Sequence, residues 1–241
     1  MKKALWIVSF IPLVVTAVLL QYLPDKIPMH FDGAGNIDRW GSKLESFLIP
    51  IVLLVLALMM TLIARYYEKK AESASDGKEK ESALSNAKVI LLVGLIMNVI
   101  TGVMQGVVLY VAFTSARTDI TESPVDFGKV TCLALGLAFV ILGNVMTKTR
   151  NNGAVGVRTV WSRYNDNTWR KSNRFGGIVL MGAGVLTIIS AALAKTSGGA
   201  NTLMLVWLGI VAVSTIVYSR KVYNDEKAAE KAAEANKGAE E

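Results

Sequence analysis

The sequence predicts an all-α integral membrane protein, a six-helix transmembrane bundle with a short structured outer loop and a basic cytoplasmic motif loop. Three observations carry that prediction. Apolar residues make up 52% of the 241 positions and charged residues 19%, with a mean hydropathy of +0.42, a balance outside the soluble globular range. Six windows hold no Asp, Glu, Lys, Arg or His: 4–24, 46–64, 89–116, 130–147, 175–194 and 196–219. They run from 18 to 28 residues, and a helix of about 20 crosses a hydrocarbon core roughly 30 Å thick. The runs are continuous rather than alternating, so helices and not barrel strands satisfy the backbone in lipid. Finally, 20 of the 26 Lys and Arg fall in the N-terminus, residues 65–88, residues 148–174 and the tail from 220. That bias predicts cytoplasmic termini and a multi-pass protein of the cytoplasmic membrane.

The first window opens on Lys2 and Lys3 like a signal peptide. Its apolar run is longer than a usual signal core, and no small-x-small cleavage site precedes the polar residues from Gln21, so it reads as a retained anchor. The net charge of +7 would point to nucleic acid in a soluble protein. Here it reports orientation, and no direct nucleic-acid partner is expected. One cysteine, Cys132, cannot pair within the chain, and one cysteine with one histidine cannot assemble structural zinc. No metal or cofactor is expected.

Charge also divides the chain. Residues 1–66 form an N-terminal two-helix unit, 67–87 a charged cytoplasmic linker, 88–222 a four-helix membrane domain and 223–241 a charged tail. The linker and tail are rich in Ala, Glu, Lys and Ser, with Glu and Lys at helical spacings, which predicts solvated helix or disorder.

The segment between the first two windows is dense in residues that fix a backbone. Pro24 and Pro28 hold an extended path, Gly33, Gly35 and Asn36 permit a turn, and Ser42 with Glu45 forms a capping box for the second helix. This predicts a hairpin-like outer lid. Its candidate binding residues are Pro28, His30, Asp32, Gly35, Asp38, Arg39 and Lys43. His30 is the only histidine, and a neighbouring carboxylate could orient it. Pinning of the loop or partner binding, a pH or metal role, and catalysis all stay open for it. No G-x-S-x-G or H-E-x-x-H pattern accompanies it, and the register of an EF-hand is missing around Asp32, Asn36 and Asp38.

Residues 148–174 hold seven bases and one acid, Asp166, a basic surface that anionic lipid attracts by about 1 kcal/mol per residue. Asn165, Asp166 or Asn167 can cap the fifth helix, and Trp161 and Trp169 occupy positions typical of an aromatic belt. Within the spans, Asn98 and Gln105 share one helix face and predict interhelical hydrogen bonds rather than a pathway. Gly176, Gly177, Gly182 and Gly184 predict close packing of the fifth span.

Residues 143–177 resemble the signature of the SdpI family of bacterial membrane proteins. The resemblance rests on Gly143, Asn144, Met146, Lys148, Asn152, Gly156, Arg158, Thr159, Trp161, Trp169, Lys171, Arg174 and Gly177, with Arg150 a conservative replacement. The outer loop resembles the short uncharacterised domain that often precedes that signature, through Ile27, Pro28, His30, Gly35, Asp38 and Lys43. Val160 and Thr147 stand where the family has proline, and Asn173 where it has histidine, so a mechanism needing that imidazole cannot run here. The resemblance implies an inner motif of Asn144, Lys148, Asn152, Gly156, Arg158, Thr159, Trp161, Trp169 and Arg174. It further implies an immunity and sensing protein with membrane lipids, a secreted peptide toxin and a cytoplasmic transcriptional repressor as partners. Two other classes are weighed against it. A transporter or permease would need an ionisable group or matched broken helices in the membrane, and the windows hold neither. A membrane enzyme acting on lipid or peptide would need a nucleophile, and none is evident, so no enzyme activity is expected.

Overall fold

The computed structural model describes residues 1–32, 37–118, 125–152 and 155–240. Six helices long and apolar enough to span a membrane lie among them, as the six windows predict. They are α1 (Lys2–Leu19), α2 (Leu48–Glu72), α3 (Gly77–Thr118), α4 (Phe127–Met146), α5 (Asp166–Leu193) and α6 (Ser197–Glu240). Between α1 and α2 stands one antiparallel hairpin, β1 (Lys26–Phe31) and β2 (Ile37–Ser42), in which Ile27 faces Gly41 and Pro28 faces Trp40. Its turn, with Gly33, Gly35 and Asn36, lies outside the described residues, as does Gly153.

The charged stretch 67–87 is helix apart from a short turn. α2 runs on to Glu72, and α3 restarts at Gly77, where the Asp76 carboxylate accepts from the Lys78 N–H at 3.2 Å and stands as a cap. Lys70 and Glu79 pair across the turn at 3.4 Å. The tail is likewise helix: α6 continues through 44 residues, about 66 Å at 1.5 Å per residue.

Helix packing groups α3 with α1 and α2, and α5 with α4 and α6; α3 meets α4 more thinly. The sequence division instead places α3 with the helices that follow it. In the first group, Leu5, Ala57, Ala64, Ala87 and Leu91 form a buried cluster. Pro12, inside α1, lies 3.2 Å from where a Cβ would stand on Gly102 of α3. Buried polar pairs tie the same helices: the Ser9 hydroxyl donates to Asn98 Oδ1 at 2.8 Å, and the Gln105 amide donates to Thr16 Oγ1 and to the Ser46 carbonyl at 3.1 and 2.9 Å. These are interhelical hydrogen bonds, as the shared face predicts, and in hydrocarbon they hold helices that apolar contact alone leaves free to slide.

The second group closes on glycine. A Cβ on Gly143 would stand 2.6 Å from the Gly177 carbonyl and one on Gly177 2.5 Å from the Gly143 carbonyl, while Gly136 and Gly184 repeat the pattern at 2.8 and 2.6 Å. Two reciprocal pairs, seven residues apart on each antiparallel helix, bring the backbones of α4 and α5 into contact. Gly176 packs instead on Val157, Met146 and Thr215, and Gly182 meets nothing within 4 Å, so the expectation of close packing fails at Gly182. α6 joins through Trp207, whose indole donates to Ser190 at 3.2 Å, and through the Cys132 thiol to Asn201 at 3.0 Å.

α3 touches both ends of the molecule. Near its C-terminal end Leu109 and Ala112 cover Leu23 and Ile27 at the base of the hairpin. Near its start the Ser82 hydroxyl donates to the Asn151 carbonyl at 3.3 Å, and Glu81 pairs with Arg150.

Candidate functional site

The hairpin is a small, charge-stapled unit. Ile27 is fully buried and Pro28 is buried beside it, whereas His30 and Asp38 are exposed. The His30 ring reaches across the strands to Asp38, Nδ1 to Oδ1 2.7 Å. With an ionised Asp38 accepting, Nδ1 carries the hydrogen, and Nε2 is the ring atom left to meet a ligand. The Arg39 guanidinium donates to Glu45 at 2.9 Å, and Glu45 also accepts from the Ser42 N–H at 2.9 Å. With the Ser42 hydroxyl accepting from Leu44 N–H at 3.3 Å, that completes the capping box the sequence predicts, on a 3-10 turn (Lys43–Phe47) that leads directly into α2. Lys43 pairs with Asp25 at 3.0 Å and reaches the Leu23 carbonyl at 3.4 Å. Of the seven residues singled out here, Gly35 lies outside the described residues. Pro28 supports the base, Arg39 and Lys43 staple the hairpin to its roots, His30 and Asp38 form the exposed pair, and Asp32 is exposed beside the turn. Among the described residues no group of three or more His, Cys, Asp or Glu is placed to hold a metal ion.

The opposite end of the bundle is built around Asn173 and Trp169. Trp169 is 2% exposed and its indole donates to the Thr149 carbonyl at 3.1 Å. The belt position read from its sequence context is therefore corrected: this tryptophan is the core of the loop. Asn173, one turn further on, donates to the Trp169 carbonyl at 3.0 Å and accepts from the Val157 N–H at 2.7 Å. Both halves of its amide are thus used, and they hold the loop onto α5. Gly156 sits against that amide at φ +135°, and a Cβ there would stand 2.2 Å from Asn173 Oδ1.

The rest of the loop is a set of local caps. Asn152, buried, accepts from Val155 N–H at 2.8 Å and donates to the Arg150 carbonyl at 2.9 Å. Ser162 and Thr159 cap one another through two backbone-to-hydroxyl bonds at 3.0 Å each, and Ser162 also donates to the Val157 carbonyl at 2.6 Å. Thr159 reaches Ser219 of α6 at 3.0 Å. Asn165 is the cap of α5, in a capping box with Thr168. Trp161 is half-buried and Arg220 of α6 lies 5.7 Å above its ring, a cation–π arrangement. Asn144, Lys148, Arg158 and Arg174 are exposed around this frame.

The tail takes part in this site. Glu226 accepts from the amides of Asn165 and Asn167 at 3.1 and 2.6 Å, and Glu230 accepts from the Tyr164 hydroxyl at 2.6 Å. That bond to a carboxylate raises the Tyr164 phenol above its ordinary value. Tyr164 also packs edge-on to Tyr223, with Lys227 over both rings. Residues 223–230 therefore dock on the motif loop, and the exposed helix begins beyond them.

A family model described as the SdpI/YfhL protein family matches residues 148–219, which hold the loop, α5 and the α6 span. That stretch is similar to the SdpI/YfhL family. A second model, a domain of unknown function called DUF1648, matches residues 7–54, covering α1, the hairpin and the start of α2. Among relatives, Immunity protein SdpI of Bacillus subtilis (strain 168) is 25% identical over 183 residues, 76% of this chain and 77% of that protein. No solved structure matches. Of the motif residues, Asn152, Gly156, Thr159, Trp161 and Trp169 form or line the loop frame, while Lys148, Arg158 and Arg174, within the matched stretch, and Asn144, just before it, are exposed around that frame. Sequence reasoning missed Asn173 as a tie, along with Ser162, Thr168, Ser219, Glu226 and Glu230. The one available signal was that Asn173 occupies a motif position with a changed residue.

Proposed function

We propose that this chain is an integral membrane immunity and sensing protein, which protects the producing bacterium from a secreted membrane-active peptide toxin and signals to a cytoplasmic repressor. The observation that carries the reading is the similarity to Immunity protein SdpI, which spans three quarters of both chains. The architecture supports it. One end presents a hairpin with an exposed imidazole–carboxylate pair, suited to contact a peptide, and the other a basic loop tied to α5. In this reading the hairpin faces outside and both termini lie in the cytoplasm, as the Lys and Arg bias predicts.

Sidedness has a direct measurement. Lys26→Cys on the hairpin and Val160→Cys on the motif loop, where the native side chain is 80% exposed, are placed in a Cys132→Ala background. A membrane-impermeant maleimide applied to intact cells is expected to label the first and spare the second. The reverse pattern would overturn the proposed orientation.

The toxin contact is tested by survival. A sensitive bacterium expressing the chain is challenged with culture supernatant of the producing strain. His30→Ala is expected to lower tolerance about tenfold at unchanged membrane abundance, the value of one hydrogen bond to a charged group. Undiminished survival of both His30→Ala and Asp38→Ala cells would remove the hairpin from the recognition surface.

A further inference from the structure

At the motif-loop end, a groove of about 730 Å³ runs between the end of α4 and the start of α5, lined by Thr147, Arg170, Lys171, Arg174, Ile178 and Met181. Its chemistry changes along its length. Three bases, all exposed, line one part, and no carboxylate lines any of it. Among the described residues, Arg170 makes one side-chain hydrogen bond, a long one of 3.4 Å to Asn167. The remainder is floored by Ile178, which is exposed, and Met181.

The change falls where the sequence passes from charged to uncharged. Arg174 is the last charge before the window 175–194, and Thr147 the last residue of the window 130–147 before Lys148. The groove thus straddles the level at which a bilayer passes from headgroups to acyl chains. A soluble anion would use only the basic part, and a neutral lipid only the apolar part. One molecule class uses both at this depth.

We infer that this groove binds a single anionic phospholipid, with its phosphate between Arg170, Lys171 and Arg174 and its acyl chains along Ile178 and Met181. The bases supply directional, charge-assisted hydrogen bonds to phosphate, for which arginine's fork is well suited. The apolar floor fixes the lipid's direction. This differs from diffuse attraction of the whole basic loop, because it assigns the affinity to three side chains and one stoichiometric site, independently of the proposed immunity role.

The test uses the full-length chain in neutral detergent, with bound lipid counted by native mass spectrometry. The probes are palmitoyl-oleoyl phosphatidylglycerol, the matching phosphatidylcholine, and inorganic phosphate as competitor. Phosphatidylglycerol should bind at one per chain, above phosphatidylcholine, and resist displacement by phosphate. In Arg170→Gln/Arg174→Gln its affinity should fall about 30-fold, each base near an anionic headgroup being worth about fivefold. Both arginines are exposed, and an unchanged melting temperature would show the variant folded; if it melts early, Ile178→Ser, which weakens lipid but not phosphate, replaces it. Lys78→Gln/Lys80→Gln removes two bases from the same end of the bundle and should leave binding intact. Equal losses in the two double variants, equal binding of the two lipids, or displacement by phosphate would each overturn the site.

Discussion

Gly156→Ala is expected to unfold the motif loop. At φ +135° an L side chain is strained by about 1–3 kcal/mol. The new methyl would also meet Asn173 Oδ1 at 2.2 Å. The amide cannot retreat without releasing the Val157 N–H it accepts from, and leaving that donor unpaired costs about 1–3 kcal/mol more. The summed loss of about 2–6 kcal/mol is a large share of a domain's stability. Thermal unfolding in detergent, followed by tryptophan emission in a background where Trp6, Trp40 and Trp207 are replaced by Phe so that Trp161 and Trp169 report alone, should show an early transition. A melting temperature within a degree or two of wild type would mean that the loop tolerates a side chain there, and that the tie to Asn173 is not what orders it.

Gly143→Val carries the second large effect. Its added atoms point at the Gly177 carbonyl, 2.6 Å from the position of the first of them. A backbone carbonyl has no rotamer with which to yield, so the helices must separate along the whole seam that Gly136 and Gly184 also hold. Overpacking costs about 1–3 kcal/mol and occasionally more, and a contact with unyielding backbone belongs at the upper end. Gly182→Ala is the matched control, since nothing lies within 4 Å of its Cβ position, and it should stay within about 1 kcal/mol of wild type. Membrane abundance and melting temperature distinguish the two. Equal behaviour of Gly143→Val and Gly182→Ala would show that the glycine pairs are not the contact that sets the α4–α5 distance.

The two glycines on α5 mark how far the sequence could be read. Absence of charge is enough to place six spans, because a window without Asp, Glu, Lys, Arg or His has one stable use at that length. Caps are also readable, as Ser42 with Glu45 and Asn165 show, since a cap needs only residues three apart. Choosing Gly184 over Gly182 is different. It requires the rotation of α5 relative to α4, and that phase is a property of the pair. The same reason hid Asn173, whose two hydrogen bonds go to residues 4 and 16 positions away, and Glu226, which reaches back about 60 positions to Asn165 and Asn167. Trp169 reads as a membrane anchor by composition because tryptophan among bases at a span's edge usually is one; the Thr149 carbonyl that claims its indole belongs to the far side of the loop. At the hairpin the contact of His30 with Asp38 follows from the antiparallel pairing of β1 with β2, which sets His30 opposite Arg39 and so beside Asp38, and which the undivided loop sequence leaves open.

α3 is one uninterrupted helix from Ser82, bonded to the motif loop, to Leu109, packed under the hairpin. Those residues lie about 40 Å apart along its axis. A bar of that length converts angle into travel: a tilt of about 5° set by pressure on the hairpin base displaces the Ser82 end by roughly 3.5 Å, about the reach of a hydrogen bond. Motion too small to disturb the packing at one face of the membrane is then enough to make or break the contacts of Ser82 and Glu81 at the other.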